Sequence, residues 1–370
     1  MKRSGKLAKQ PIRGVNLGNW LVLERWMESE KHPGPFAGTT ADDERGLHDE
    51  LDSQTLGDRL QHHRDTYVTY DTFAWLADHG CNLVRLPVPY FAFGTNTYGS
   101  CIDYVDKAMD WAEQTHMPML LDLHTVPGGQ NGFDNGGVCG LCTWHQRSER
   151  ISRTLDVLQK LAERYAGHPA LFGFEPMNEP ASSKVFKISM QRYGENHPQR
   201  VELSTPIPTP VLMQYYRLVY ERIRPILGPN VALVFHDQFK LAAWHKFMPK
   251  DRYPNVWIDT HQYIATLAKG LNIKSMAGHL AATKIVGLQI ARSQRYHPTL
   301  VGEWSLANNI AKMKDASKED QLKMYNTYAA AQLAAFERGE GACFWSQTNG
   351  QYTSWSFEKS ARNGWLDYKW

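Results

Sequence analysis

Residues 171–180 read Leu171-Phe172-Gly173-Phe174-Glu175-Pro176-Met177-Asn178-Glu179-Pro180. Leu171, Phe172 and Phe174 are the bulky apolar residues a buried strand needs, and Gly173 allows another backbone to come close. Pro176 cannot donate a ladder hydrogen bond, so the strand is expected to stop there. Directly past that stop stand Asn178 and Glu179. A carboxylate beside an amide, held between two prolines at a strand's carboxyl end, points to chemistry. The rest of the chain is then expected to bring a second carboxylate to face it.

Working outward, the same pattern repeats. Upstream, Ile12 to Trp20 is a candidate first strand, with Glu24 and Trp26 just beyond it. Residues 28–65 are polar and charged, a stretch long enough to be functional or to carry small helices. Thr66 to His79 has helical spacing and Gly80 behind it as a stop. Cys81 to Val88 reads as a strand carrying Arg85, Asp103 to His116 as a helix, and Met117 to His124 as a strand ending in His124. A Gly-rich loop follows, holding Asn131 and Asp134, and then a helix over Glu149 to Tyr165.

Downstream, residues 181–210 read as a second long polar loop. Val211 to Leu227 is helical, Val231 to Asp237 a strand carrying His236, and Trp244 to Phe247 a short connecting helix. Val256 to Tyr263 is a strand ending in His261 and Tyr263. Residues 276–294 can form a helix, Thr299 to Trp304 a strand ending in Glu303, Glu319 to Arg338 a long helix, and Ala342 to Ser346 a last strand ending near Trp345.

Strands alternating with helices imply a parallel sheet with right-handed crossovers. Eight such units predict an α/β fold, a (β/α)8 TIM barrel. It would form a single domain over residues 1–370, with long loops after the first and fourth strands and a disordered segment at residues 1–10. In that barrel the active site lies at the carboxyl ends of the strands. Glu24, Arg85, His124, Asn178, Glu179, His236, His261, Tyr263, Glu303 and Trp345 fall there one after another.

Composition excludes several partners. With 41 basic against 38 acidic residues and a net charge of +3, charge gives no case for nucleic acid or a membrane surface. No stretch approaches the ~20 apolar residues of a transmembrane helix. The basic start lacks the apolar run of a signal peptide, and the five cysteines read as free thiols, so a cytoplasmic location is expected. Cys139, Cys142 and His145 have the spacing of half a zinc site, but no second such pair exists, so no metal is expected. There is no G-x-S-x-G motif and no phosphate loop, and no cofactor is expected.

The candidate chemistry is acid–base and nucleophilic. Glu179 and Glu303, at the ends of the fourth and seventh strands, would face each other across the barrel mouth. Their carboxyls would then come within ~5 Å, the separation of retaining glycosidases. One must be protonated to donate to the leaving oxygen and the other ionised to attack the anomeric carbon. Asn178 could hydrogen-bond a sugar 2-hydroxyl. Arg85 and Tyr263 could hold Glu303 ionised and aimed. Trp345 offers a flat platform for a sugar ring. Trp26, Asn131, Asp134 and His236 complete the candidate substrate-binding set, and His124 and His261 are weighed against satisfied core histidines.

These residues resemble glycoside hydrolase family 5, and within it most closely the exo-β-1,3-glucanase branch. The matching stretches are R-G-V-N-L-G-N-W-L-V-L-E from Arg13, Y-V-T-Y-D-T-F, N-L-V-R-L-P-V, L-D-L-H-T-V-P-G-G-Q-N-G-F-D-N-G-G, P-M-N-E-P, H-D-Q-F, D-T-H-Q-Y and V-G-E-W. The likeness runs over nearly the whole chain. It implies Glu179 as acid/base and Glu303 as nucleophile, with Arg85, His124, Asn178, His261, Tyr263 and Trp345 as further active-site residues. It implies that Glu24 holds hydroxyls of a terminal sugar.

The chain departs from the branch at Gly18-Asn19-Trp20, at Glu24-Arg25, at His124-Thr125-Val126-Pro127-Gly128 and in both long loops. The implied activity is a retaining exo-β-glycosidase acting on an oligosaccharide or glycoside of β-1,3-glucan or β-glucoside type. The alternatives are a β-mannosidase acting on mannosyl-β-1,4-N-acetylglucosamine-type disaccharides, a transglycosylase, and a non-catalytic carbohydrate-binding barrel.

Overall fold

The computed structural model of the protein describes residues 10–368. Residues 1–9, most of the segment expected to be disordered, lie outside them. The strands are β1 (Ile12–Asn16), β2 (Leu83–Val88), β3 (Met119–Leu123), β4 (Leu171–Glu175), β5 (Ala232–His236), β6 (Val256–His261), β7 (Thr299–Trp304) and β8 (Gly341–Phe344). All pair in parallel and in sequence order, and β8 closes on β1. The predicted barrel is the observed one.

Alternation along the strands separates core from site. Ile12, Leu83, Leu120, Val234 and Cys343 form one apolar cluster. Two or four residues further along their strands, on the same face of the pleat, come Asn16, Arg85, Asp122, His236 and Trp345. The inward face is therefore apolar low in the barrel and polar at the carboxyl ends. The outward face packs on the helices, with Val15, Val84, Leu121, Phe174, Leu233 and Ile258 in the main core. Helices Met276–Ser293 and Lys318–Phe336 approach so closely at Gly287 that a Cβ there would press on Ala335.

The two long loops are partly helical. Residues 28–65 hold helix Glu44–Glu50 and most of helix Ser53–Tyr67, each begun by an aspartate, Asp43 and Asp52, whose side chain caps the first turn. Residues 181–210, read from sequence as loop, contain helices Ser183–Tyr193 and Pro198–Leu203. No helix among the described residues is long and apolar enough to cross a membrane. All five cysteines are buried and free.

Candidate active site

Arg85 is the anchor. It is fully buried and every arm is used. Nε donates to Glu175 Oε2 (2.8 Å), Nη1 to Asn16 Oδ1 (3.0 Å) and Glu303 Oε1 (2.9 Å), and Nη2 to Asn178 Oδ1 (2.9 Å). Asp122 Oδ2 lies 3.1 Å from Nη2. A guanidinium suits this role because its donors are rigid and it stays charged when buried. One side chain thereby fixes groups delivered by β1, β3, β4 and β7.

Glu303 is held from three sides. Arg85 grips Oε1, the Tyr263 hydroxyl donates to Oε2 (2.7 Å), and His261 Nδ1 lies 3.3 Å from Oε2. The pairing of β6 with β7 sets His261 directly beside Glu303. Gly302 is required just before it, because any Cβ there would run into the carboxylate of Asp259.

Glu179 comes from the turn after β4 and sits at φ 44°, in the left-handed region that a non-glycine residue adopts at a cost. His261 Nδ1 donates to its Oε1 (2.8 Å) and Asn135 Nδ2 to its Oε2 (2.9 Å). A single nitrogen thus touches both glutamates. Their facing oxygens can be no more than about 6 Å apart, short of the wider spacing of inverting enzymes.

The proton balance differs from the expectation that Glu179 is held protonated. Burial drives Glu179 up, but the hydrogen bond and charge of His261 outweigh it and leave the carboxyl lowered to about 2. Burial also raises Glu303, and the charge of Glu179 adds to the rise against the opposing pull of His261 and Arg85. His261 is itself held well above its usual range. Burial opposes this, but the charges of Glu303 and Asp259 and its hydrogen bonds prevail. The mobile proton of the site sits on His261, between the two carboxylates.

The remaining candidates divide into groups that face the site and groups that support it. His124 Nδ1 donates to Asp122 (2.5 Å), so its Nε2 accepts from Asn178 Nδ2 (3.3 Å), and its ring stacks on Trp345 at 5.5 Å. Asn178 keeps one N–H uncommitted. Gly18 lets the Trp345 ring lie close, since a Cβ would sit 2.7 Å from it. Glu24 accepts from Trp26 Nε1 (2.7 Å) through Oε2, while Oε1 is buried with no partner. Burial and then the neighbouring Asp134 raise the Glu24 carboxyl well above its ordinary range. Asp134 is raised too, by burial.

Asn131 does not face outward. Its Nδ2 donates to Asn135 Oδ1 (2.9 Å), which places it behind the amide that holds Glu179. His236 is fully buried and pushed down to about 3 by burial, so it is neutral. Its Nδ1 accepts from the Gln238 N–H (3.1 Å), so Nε2 carries the hydrogen. Glu179, His236 and His261 are close enough together to hold an ion, but that tautomer leaves His236 no free lone pair to offer. Cys139 Sγ contacts the Asp42 carbonyl and His145 bonds Thr205, so the half zinc motif is spent on loop contacts.

Asn135, Glu175, Asp259 and Trp355 were not singled out from the sequence. Trp355 packs against both Trp26 and Tyr263, at 5.3 and 4.9 Å. Asp259 could have been found from its place two residues before His261, on the same face of β6.

Comparison with known proteins agrees with this geometry. Residues 53–351 match the family model described as Cellulase (glycosyl hydrolase family 5). The chain is 30% identical over 394 residues to a probable glucan 1,3-beta-glucosidase A of Emericella nidulans, covering 96% of this chain and 89% of that one. It is 29% identical to glucan 1,3-beta-glucosidase 1 of Schizosaccharomyces pombe, covering 94% and 85%. Among solved structures it is similar in fold to a rutinosidase from Aspergillus niger, with a TM-score of 0.76, 24% identity and coverage of 97% and 98%.

Proposed function

The chain belongs to glycosyl hydrolase family 5 and is a glycoside hydrolase, and from that premise we propose that it is a retaining, exo-acting β-glycosidase. It removes a terminal β-linked hexose, and the names of the relatives favour a glucosyl unit of β-1,3-glucan or β-glucoside type. One observation carries the reading: His261 Nδ1 lies within 3.3 Å of both Glu179 and Glu303, which keeps their facing oxygens within about 6 Å, below the wider spacing of inverting enzymes.

Glu303, aimed by Arg85 and Tyr263, attacks the anomeric carbon. Glu179 protonates the departing oxygen, and a covalent glycosyl ester forms on Glu303. Glu179 then takes a proton from water as that water attacks the ester carbon, and the product keeps the β configuration. Glu179 must hold a proton as the leaving oxygen departs. The His261 Nδ1–H, 2.8 Å away, supplies it along an existing hydrogen bond once the forming sugar ester removes the charge from Glu303. The uncommitted N–H of Asn178 faces the 2-hydroxyl, and Trp345 lies under the ring. The unpaired Oε1 of Glu24 awaits a hydroxyl of the terminal sugar, and this buried carboxyl favours release from a chain end.

A panel of aryl β-glucoside, β-mannoside, β-galactoside and β-fucoside tests the reading. The β-glucoside is expected to be cleaved fastest. Preference for the mannoside would replace the glucosyl assignment, and sugar binding with no cleavage of any member would overturn catalysis itself.

A further inference from the structure

Two amides behind Glu179 are fixed by a series of hydrogen bonds that begins at the backbone. The Phe133 N–H can only donate, and it donates to Asn131 Oδ1 (2.9 Å). Asn131 therefore presents Nδ2 to Asn135, whose Oδ1 accepts it (2.9 Å). Asn135 is left with Nδ2 toward the site, and that group donates to Glu179 Oε2 (2.9 Å). Neither amide can turn over without losing its bonds. Asn131 is fully buried, and Gly136 is needed beside it, because a Cβ there would press on Asn131 Oδ1.

The loop that carries these amides is braced from outside. The fully buried Ser189 donates through Oγ to the Asn131 carbonyl (2.7 Å). Gly132 lies against Met190, where a Cβ would run into the Met190 methyl group. The Tyr193 ring meets Phe133 edge-on at 6.5 Å. Ser189, Met190 and Tyr193 all belong to helix Ser183–Tyr193, in the second long loop, where the chain departs from the exo-glucanase branch.

Among the described residues Asn135 is the donor to Glu179 Oε2, while His261 holds Oε1. The other groups around that carboxylate are the neutral His236 from β5, Glu303 from β7, Tyr263 after β6 and Glu24 after β1. An N–H directed at a carboxylate favours its charged form. Burial raises the Glu179 carboxyl, the bond and charge of His261 pull it down, and Asn135 adds to that pull. The ionised form is the one that takes a proton from water in the second step. We infer that Asn131 is a positioning residue for the proposed reaction: it locks the Asn135 amide with its N–H toward Glu179, and so favours the ionised acid/base. The inference rests on Glu179 being the acid/base.

The pH dependence of kcat/KM on phenyl β-glucoside, whose poor leaving group needs the acid, tests it. The basic limb reports loss of the proton that Glu179 must deliver. Asn135 is only partly buried, so Asn135→Ala keeps the fold. It removes a bond to the charged form, the proton is kept to higher pH, and the limb should move up by about one pH unit. Asn131→Leu should move it the same way. The double variant should move it no further than Asn135→Ala alone, because Asn131 acts through Asn135. A merely loosened loop would lower kcat at every pH and leave the limb in place. If Asn131→Leu does not fold, Asn131→Asp decides. It keeps the Phe133 bond, turns the Asn135 amide to face Glu179 with Oδ1, and should move the limb up by more than Asn135→Ala. A limb unmoved in Asn135→Ala, shifts that add in the double variant, or a smaller move in Asn131→Asp overturns the inference. Glu179→Ala, measured alongside, separates this from the catalytic reading. Wild-type rate and basic limb in that variant would overturn the acid/base assignment instead.

Discussion

His261 holds a positive charge between two glutamates, and that placement governs how the site titrates. Replacing it with Gln removes a cation that lowers Glu303. Burial then acts on Glu303 with less opposition, and its pKa rises further. The nucleophile must be ionised, so the acid limb of the kcat/KM profile should move to higher pH in His261→Gln, with kcat reduced. An unmoved limb would argue against His261 as the neighbour that tunes Glu303. Glu179→Ala should lose most on glycosides with poor leaving groups and least on activated aryl glycosides, and azide should rescue it to the β-glycosyl azide. Comparison of rates across leaving groups checks this. Arg85→Met would strand Glu175 and Asp122 without their buried cation, a loss of about 3–5 kcal/mol measurable by urea unfolding. At this scale the sequence exposed the residues but not their partners. Glu179, Glu303 and Arg85 stand out at strand ends. Asn135 does not, because its bond to Glu179 spans 44 residues and no local pattern encodes it. The proton on His261 was equally hidden, since it follows from four side chains meeting in space.

The elements were more legible. Strand β4 ends one residue before Pro176, and β7 carries Glu303 near its end, as the patterns predicted. Strands buried on both faces read as apolar runs, and prolines and glycines mark their ends. Helices Ser183–Tyr193 and Pro198–Leu203 were read as loop for a physical reason. The first has one short apolar stripe, Phe186, Met190 and Tyr193, of which only Tyr193 is fully buried, and the second buries nothing, so both give a weak periodic signal inside a polar stretch. Where helices pack hard, close fit replaces periodicity. Gly287→Val would push against Ala335 across the contact of helices Met276–Ser293 and Lys318–Phe336. It should cost about 1–3 kcal/mol, read as a lower midpoint in thermal unfolding. Turnover at low temperature should be unchanged, because that contact lies outside the barrel.

The whole molecule is a barrel whose inner face changes from apolar to ionised along the strands. Arg85 and His261 neutralise a ring of buried carboxylates at the top. That ring keeps the facing oxygens of the two glutamates within about 6 Å, and the central claim is that Glu303 becomes covalently glycosylated. Incubation with a 2-deoxy-2-fluoro-β-glucosyl donor, followed by digestion and mass spectrometry of the peptides, tests this directly. The account predicts one labelled peptide, modified at Glu303, with labelling lost in Glu303→Ala. Label on another residue, or continued turnover of an aryl β-glucoside by Glu303→Ala, would contradict it.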